Sequence, residues 1–111
     1  MWIFTETGFI SAVRKGPKPS ELSVRSRDRL SLELLATAAG AEIIKTPNGD
    51  YPYRLFVDDQ VFAKWVAEQA QRVNYSNFKS KAFDTRGYEY AHELGRVWSV
   101  MLETEDDEAR P

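Results

Sequence analysis

The sequence predicts an α+β fold: an antiparallel sheet of about five strands, in the order ββ-β-α-ββ-α-α, with the helices mainly on one face. Three observations lead there. Short β-branched and aromatic runs come in pairs around turn residues: Trp2 to Thr5 and Phe9 to Arg14 around Glu6-Thr7-Gly8, then Glu42 to Thr46 and Tyr53 to Val57 around Asn48-Gly49. Apolar residues at helical spacing fill the stretches between and after them. The composition is that of a globular protein, 42% hydrophobic and 29% charged over 111 residues, which is enough chain to bury a core.

The first hairpin turns at Gly8, where glycine suits a positive φ, so the chain starts inside the sheet. Gly16 to Ser20 is a loop stiffened by Pro17 and Pro19. Leu22-Ser23-Val24-Arg25 alternates apolar with polar and predicts a third strand with Arg25 on the solvent side. Asp28 is suited to cap the first helix, Leu30, Leu34, Leu35 and Ala38 mark its apolar face, and Gly40 ends it. The second hairpin is expected to turn on two residues, Asn48-Gly49. Pro52 lacks an N–H for the ladder and belongs at a strand start or an edge.

Asp58 or Asp59 caps the next helix, whose stripe is Phe62, Trp65, Val66, Ala70 and Val73. Asn74-Tyr75-Ser76-Asn77 breaks it, and Phe78 to Phe83 reads as a short helical turn. The last helix is expected from about Thr85, with Tyr90, Leu94, Val97 and Met101 in one stripe widened by Trp98. Trp65 and Trp98 are thus both expected in the core. Residues 1–102 are expected to form one domain. Residues 103–111 carry five acids (Glu103, Glu105, Asp106, Asp107, Glu108) where negative charge opposes the helix dipole, and are expected to be disordered.

Charge narrows the partners. The chain has a net charge of −2, but residues 1–102 hold 14 Lys and Arg against 12 Asp and Glu, a mildly basic body. With no cysteine, disulfide and thiolate chemistry are excluded. No apolar run approaches the roughly 20 residues of a membrane span, so no membrane partner is expected. The opening Met-Trp-Ile-Phe-Thr-Glu has no basic segment of the signal-peptide kind, and a cytoplasmic setting is the expectation.

Two constellations stand out. Arg25, Arg27 and Arg29 alternate at a strand–helix junction, and on a strand Arg25 and Arg27 point the same way and can hold one anion between them. The plain alternative is a solvated face with ion pairs to Glu21 and Glu33. Tyr51, Tyr53 and Arg54, with Tyr75, Asn77, Phe78 and Lys79, mix rings, amides and cations, the chemistry used to stack on bases or grip a peptide. Their plain alternative is a set of rings closing the core beneath two loops.

His92, the only histidine, has no second histidine or cysteine at zinc spacing, so no metal site is expected. As a general acid or base it has Tyr88 at i−4 and Glu89 at i−3 for partners; a structural role is the alternative. No phosphate-binding glycine loop, Ser-His-Asp order or paired-carboxylate motif is present, and no cofactor is implied.

Met1-Trp2-Ile3-Phe4 with Gly8-Phe9-Ile10-Ser11, Val24-Arg25-Ser26-Arg27, Asp50-Tyr51-Pro52-Tyr53-Arg54, Tyr75-Ser76-Asn77-Phe78-Lys79 and Val97-Trp98 together resemble a family of small, uncharacterised bacterial proteins. The resemblance runs to about Leu102 and implies no activity. The functional expectation is a small non-enzymatic binding module for nucleic acid or another phosphate-bearing or acidic partner. Its binding candidates are Arg25, Arg27, Tyr51, Tyr53, Arg54, Tyr75, Asn77 and Lys79. Two alternatives stay open: a protein-interaction or self-associating module using an exposed sheet face, and an RNase-like enzyme with His92 and Tyr88 as catalytic candidates.

Overall fold

A computed structural model of the chain, describing residues 1–47 and 49–109, contains one antiparallel sheet. Its strands are β1 (Trp2–Thr5), β2 (Gly8–Val13), β3 (Glu21–Ser26), β4 (Ile44–Lys45) and β5 (Tyr53–Asp58), ordered β1-β2-β3-β5-β4. Four helices accompany it: α1 (Leu30–Ala39), α2 (Asp59–Gln71), α3 (Phe78–Arg86) and α4 (Tyr88–Leu102). The α+β class and the strand–helix order are as the sequence predicts. Two compact units result, Met1–Asn74 and Tyr75–Pro111, divided at the helix break that the sequence marks. Among the described residues, no helix is long and apolar enough to cross a membrane.

In the first unit the alternation of each strand sends one set of side chains to a core. Ile10, Ala12, Val24, Leu55 and Val57 are buried on one sheet face, together with Leu32 and Leu35 of α1 and Phe62 and Trp65 of α2. Both helices therefore cover the same face, α1 packing on β2, β3 and β5 and α2 on β5. Trp65 is 5% exposed, and its ring lies 6.2 Å from that of Phe62, centroid to centroid.

The β1–β2 turn is held by Thr5 Oγ1, which accepts from the Thr7 N–H (3.2 Å) and donates to the Gly8 carbonyl (3.2 Å). Gly8 has φ 158°, the positive φ expected at this turn and one that residues with a side chain rarely adopt, and space calls for glycine there as well. A Cβ would stand 2.5 Å from Ser31 Cβ and 2.6 Å from Ser31 Cα. This close approach lets the Phe9 N–H donate to Ser31 Oγ (3.2 Å).

Ser31 also explains a departure from the expected α1 face. Asp28 caps the helix by accepting from the Ser31 N–H (3.1 Å) and its hydroxyl (2.5 Å). With Ser31 fixed against the first hairpin, the helix turns Leu32 and Leu35 inward. Leu30 and Leu34, expected in the core, are 55% and 44% exposed. Gly40, at φ 62°, closes the helix in the left-handed conformation that favours glycine.

The second hairpin is looser than a two-residue turn. Only Ile44 and Lys45 pair with β5, and the Thr46 N–H donates to the Pro52 carbonyl (2.7 Å), so five residues bridge the ends. Asn48, half of the expected turn, lies outside the described residues. Asp58 caps α2, its Oδ1 accepting from the Gln60 N–H at 2.9 Å. That helix ends at Gln71, leaving Ala70 and Val73 of the expected stripe exposed.

In the second unit Asn77 caps α3 through its side-chain oxygen (Ser80 N–H, 2.9 Å), and the helix runs nine residues, beyond the short turn expected. Gly87, at φ 90°, separates it from α4, which starts at Tyr88 and not near Thr85. The two helices pack on one another and bury Ala82 and Leu94. At 1.5 Å per residue α3 is about 14 Å long and α4 about 23 Å, so α3 is too short to cover all of α4. Trp98, expected in the core, is 62% exposed, and Met101 is exposed with it. After Leu102 come a turn and one 3₁₀ turn, Asp107–Ala109, all exposed; Arg110 and Pro111 lie outside the described residues.

Candidate functional site

Strand register builds a row of side chains across the sheet face opposite the core. Trp2 pairs with Ser11, Ser11 with Arg25, Arg25 with Arg54, and Arg54 with Ile44, so the row crosses all five strands. Two guanidinium-bearing residues thus sit directly opposite each other on β3 and β5. Like charges so placed repel and weaken a sheet. Arg27 follows β3 immediately and brings a third cation to the same corner.

None of these three arginines is ion-paired with a carboxylate among the described residues. Arg25 Nη2 donates to Ser11 Oγ (2.9 Å), Arg54 Nε to Thr46 Oγ1 (3.1 Å), and Arg27 Nη1 to the backbone carbonyl of Asp50. Arg14 and Arg29, by contrast, have carboxylate partners: Asp59 at 3.2 Å and Glu33 at 3.8 Å. Each guanidinium carries five N–H groups, so neutral acceptors occupy only part of every fork and neutralise none of its charge. Arg25 Nε is buried without a hydrogen-bond partner among the described residues, an arrangement that costs about 1–3 kcal/mol.

Tyr51 holds the corner together. It is 7% exposed, and the guanidinium carbons of Arg25 and Arg27 lie 4.7 and 4.3 Å from its ring centre. The negative face of the ring attracts both cations and fixes their planes. The loop from Thr46 to Pro52 delivers that ring, which is why a longer connection than the expected tight turn matters here. The corner is thus a set of oriented donors around an aromatic ring, with excess positive charge. It can bind a carboxylate or a phosphate oxygen through paired N–H groups.

Four of the sequence candidates meet in this corner: Arg25, Arg27, Tyr51 and Arg54. Tyr53 does not, because it neighbours Arg54 along β5 and so points to the core face. There it packs at the core margin, with Lys45 Nζ 6.0 Å from its ring centre. Ser11 and Thr46 are partners that the sequence reading missed; a small hydroxyl residue carries no local signal of what it will face. Trp2 was missed as well. It is 69% exposed, stands at 89° to the Phe9 ring with centroids 5.7 Å apart, and shares its sheet face with Phe4 and Phe9, themselves stacked at 4.6 Å.

Tyr75, Asn77 and Lys79 belong to the α3–α4 unit. Asn77 is committed to its capping bond, the Tyr75 ring leans on Phe78 (6.2 Å), and Lys79 Nζ lies 5.6 Å from the Trp98 ring centre. An open groove of about 690 Å³ in this unit is lined by Asn77, Lys79, Phe83, Asp84, Tyr88 and His92. Tyr88 and His92 do come together, but as stacked rings with centroids 5.5 Å apart at 24°. General acid–base work asks for a hydrogen-bonded, oriented imidazole, and the contact here is ring on ring.

No protein-family model, curated protein or solved structure matches this chain, which leaves the geometry of the site as the guide to its function.

Proposed function

We propose that the protein is a binding module for a phosphate-bearing or acidic partner, which docks on Arg25, Arg27 and Arg54 around Tyr51. One observation carries this reading: three arginines, two in direct cross-strand register, gather without an ion pair to a carboxylate among the described residues. A structural role alone would favour an acid opposite at least one of them, since like charges in register weaken the sheet. A bound anion bridging Arg25 and Arg54 turns that repulsion into attraction.

The direct test is calorimetric titration with inorganic tripolyphosphate at about 50 mM and about 200 mM salt, a range over which charge–charge binding weakens markedly. Binding is expected at low salt and should weaken severalfold or more at high salt. No binding at low salt would overturn the reading.

A second reading has its own support. Trp98, Val100, Met101 and Leu102 expose a run of large apolar side chains along the end of α4, the kind of surface that protein partners cover. Light scattering across a concentration series would reveal self-association; a monomer at every concentration would rule out that form of it.

A further inference from the structure

We infer that the anionic partner is single-stranded nucleic acid, laid across the sheet face opposite the core, with phosphates on Arg25, Arg27 and Arg54 and a base stacked on Trp2. This rests on the anion-binding reading and adds the class of partner. Trp2 opens the same cross-strand row that contains Arg25 and Arg54, two strands away from Arg25. With strands about 4.8 Å apart, the backbones of Trp2 and Arg25 are about 10 Å apart along that row.

Two features select this partner over other anions. Trp2 is 69% exposed and is steadied at a right angle by Phe9, which is itself stacked on Phe4, so a braced ring faces solvent beside the cations. Aromatic rings beside a positive groove bind bases whatever the sequence, because every base has a π-face. An acidic peptide would satisfy the arginines and leave the indole without a role. A duplex keeps its bases stacked inside and would offer Trp2 no face. The mild excess of base over acid in residues 1–102 fits binding by a few contacts, not by a broad charged surface.

The test compares a fluorescently labelled single strand of about 10 nucleotides, within the usual span of such sites, with the matching duplex, polyglutamate and tripolyphosphate. DNA and RNA strands are both used, since they share the recognised chemistry. The single strand should bind more tightly than the duplex or polyglutamate. Trp2→Ala should weaken single-strand binding about tenfold or more, the scale of one lost stacking contact, and leave tripolyphosphate binding unchanged. Trp2→Phe, which keeps a ring, should restore most of the affinity. Duplex or polyglutamate binding equal to that of the single strand would overturn this inference while the anion reading stands. So would an unaltered affinity in Trp2→Ala. If tripolyphosphate fails to bind as well, the anion reading falls and takes this inference with it.

Discussion

Trp65→Ala is expected to lower the unfolding free energy by about 3–5 kcal/mol, the cost of emptying a large aromatic site in a packed core. The indole lies in the cluster where α1 and α2 meet the sheet, against Phe62. Trp98→Ala should cost less than about 1 kcal/mol, because most of that side chain already faces water. Urea denaturation of the two variants beside the parent protein checks both values. Equal losses would mean that the end of α4 is covered in solution, and would favour the protein-interaction reading.

Arg27→Ala combined with Arg54→Ala should weaken tripolyphosphate binding on the order of 100-fold or more. Each removes charge-assisted hydrogen bonds worth roughly 1.5–3 kcal/mol, and every 1.4 kcal/mol is tenfold in affinity. Folding should survive. Arg27 is exposed, and the Arg54 bond runs only to Thr46 in a loop. Removing Arg54 also relieves its repulsion with Arg25 in the neighbouring strand, so the melting temperature should hold or rise slightly. Titration and a thermal melt on the same sample separate the two effects. Retained affinity, or affinity lost only together with the fold, would count against the site.

The sheet was legible because strand alternation and turn residues are local signals. Asp58 and Asn77 cap the helices that start beside them and Gly8 takes the positive φ of its turn, each as its residue type suggests. Helix faces were harder to read. Leu30 and Leu34 have the spacing of a core stripe, but the rotation of α1 is set by Ser31 and Asp28 at its start, a contact that pattern alone does not carry. Trp98 shows the same limit. Its place on the apolar side of α4 follows from period, whereas its exposure depends on what packs beside it, and there α3 brings Lys79 to the ring, not an apolar side chain.

The candidate site divides in the same way. Arg25 and Arg27 were recognisable as a pair because i and i+2 share a face on a strand. Tyr51 and Arg54 were visible as a ring and a cation, but joining them to Arg25 depends on β3 pairing with β5, nearly thirty residues away in sequence. Register then decides against Tyr53, since a shift of one residue moves a side chain to the other face. Trp2, at the far end of the row, needed the whole sheet order before it could be associated with the arginines.

The most direct test of the arginine corner is to titrate isotope-labelled protein with inorganic tripolyphosphate and follow backbone amides and arginine Nε–H signals by nuclear magnetic resonance. The largest shifts are expected on the Nε–H groups of Arg25, Arg27 and Arg54 and on the amides of Asp50, Tyr51, Tyr53 and Arg54, with Arg14 and Arg96 little moved. Shifts centred instead on Lys79 and His92 in the α3–α4 groove, or none at low salt, would contradict it.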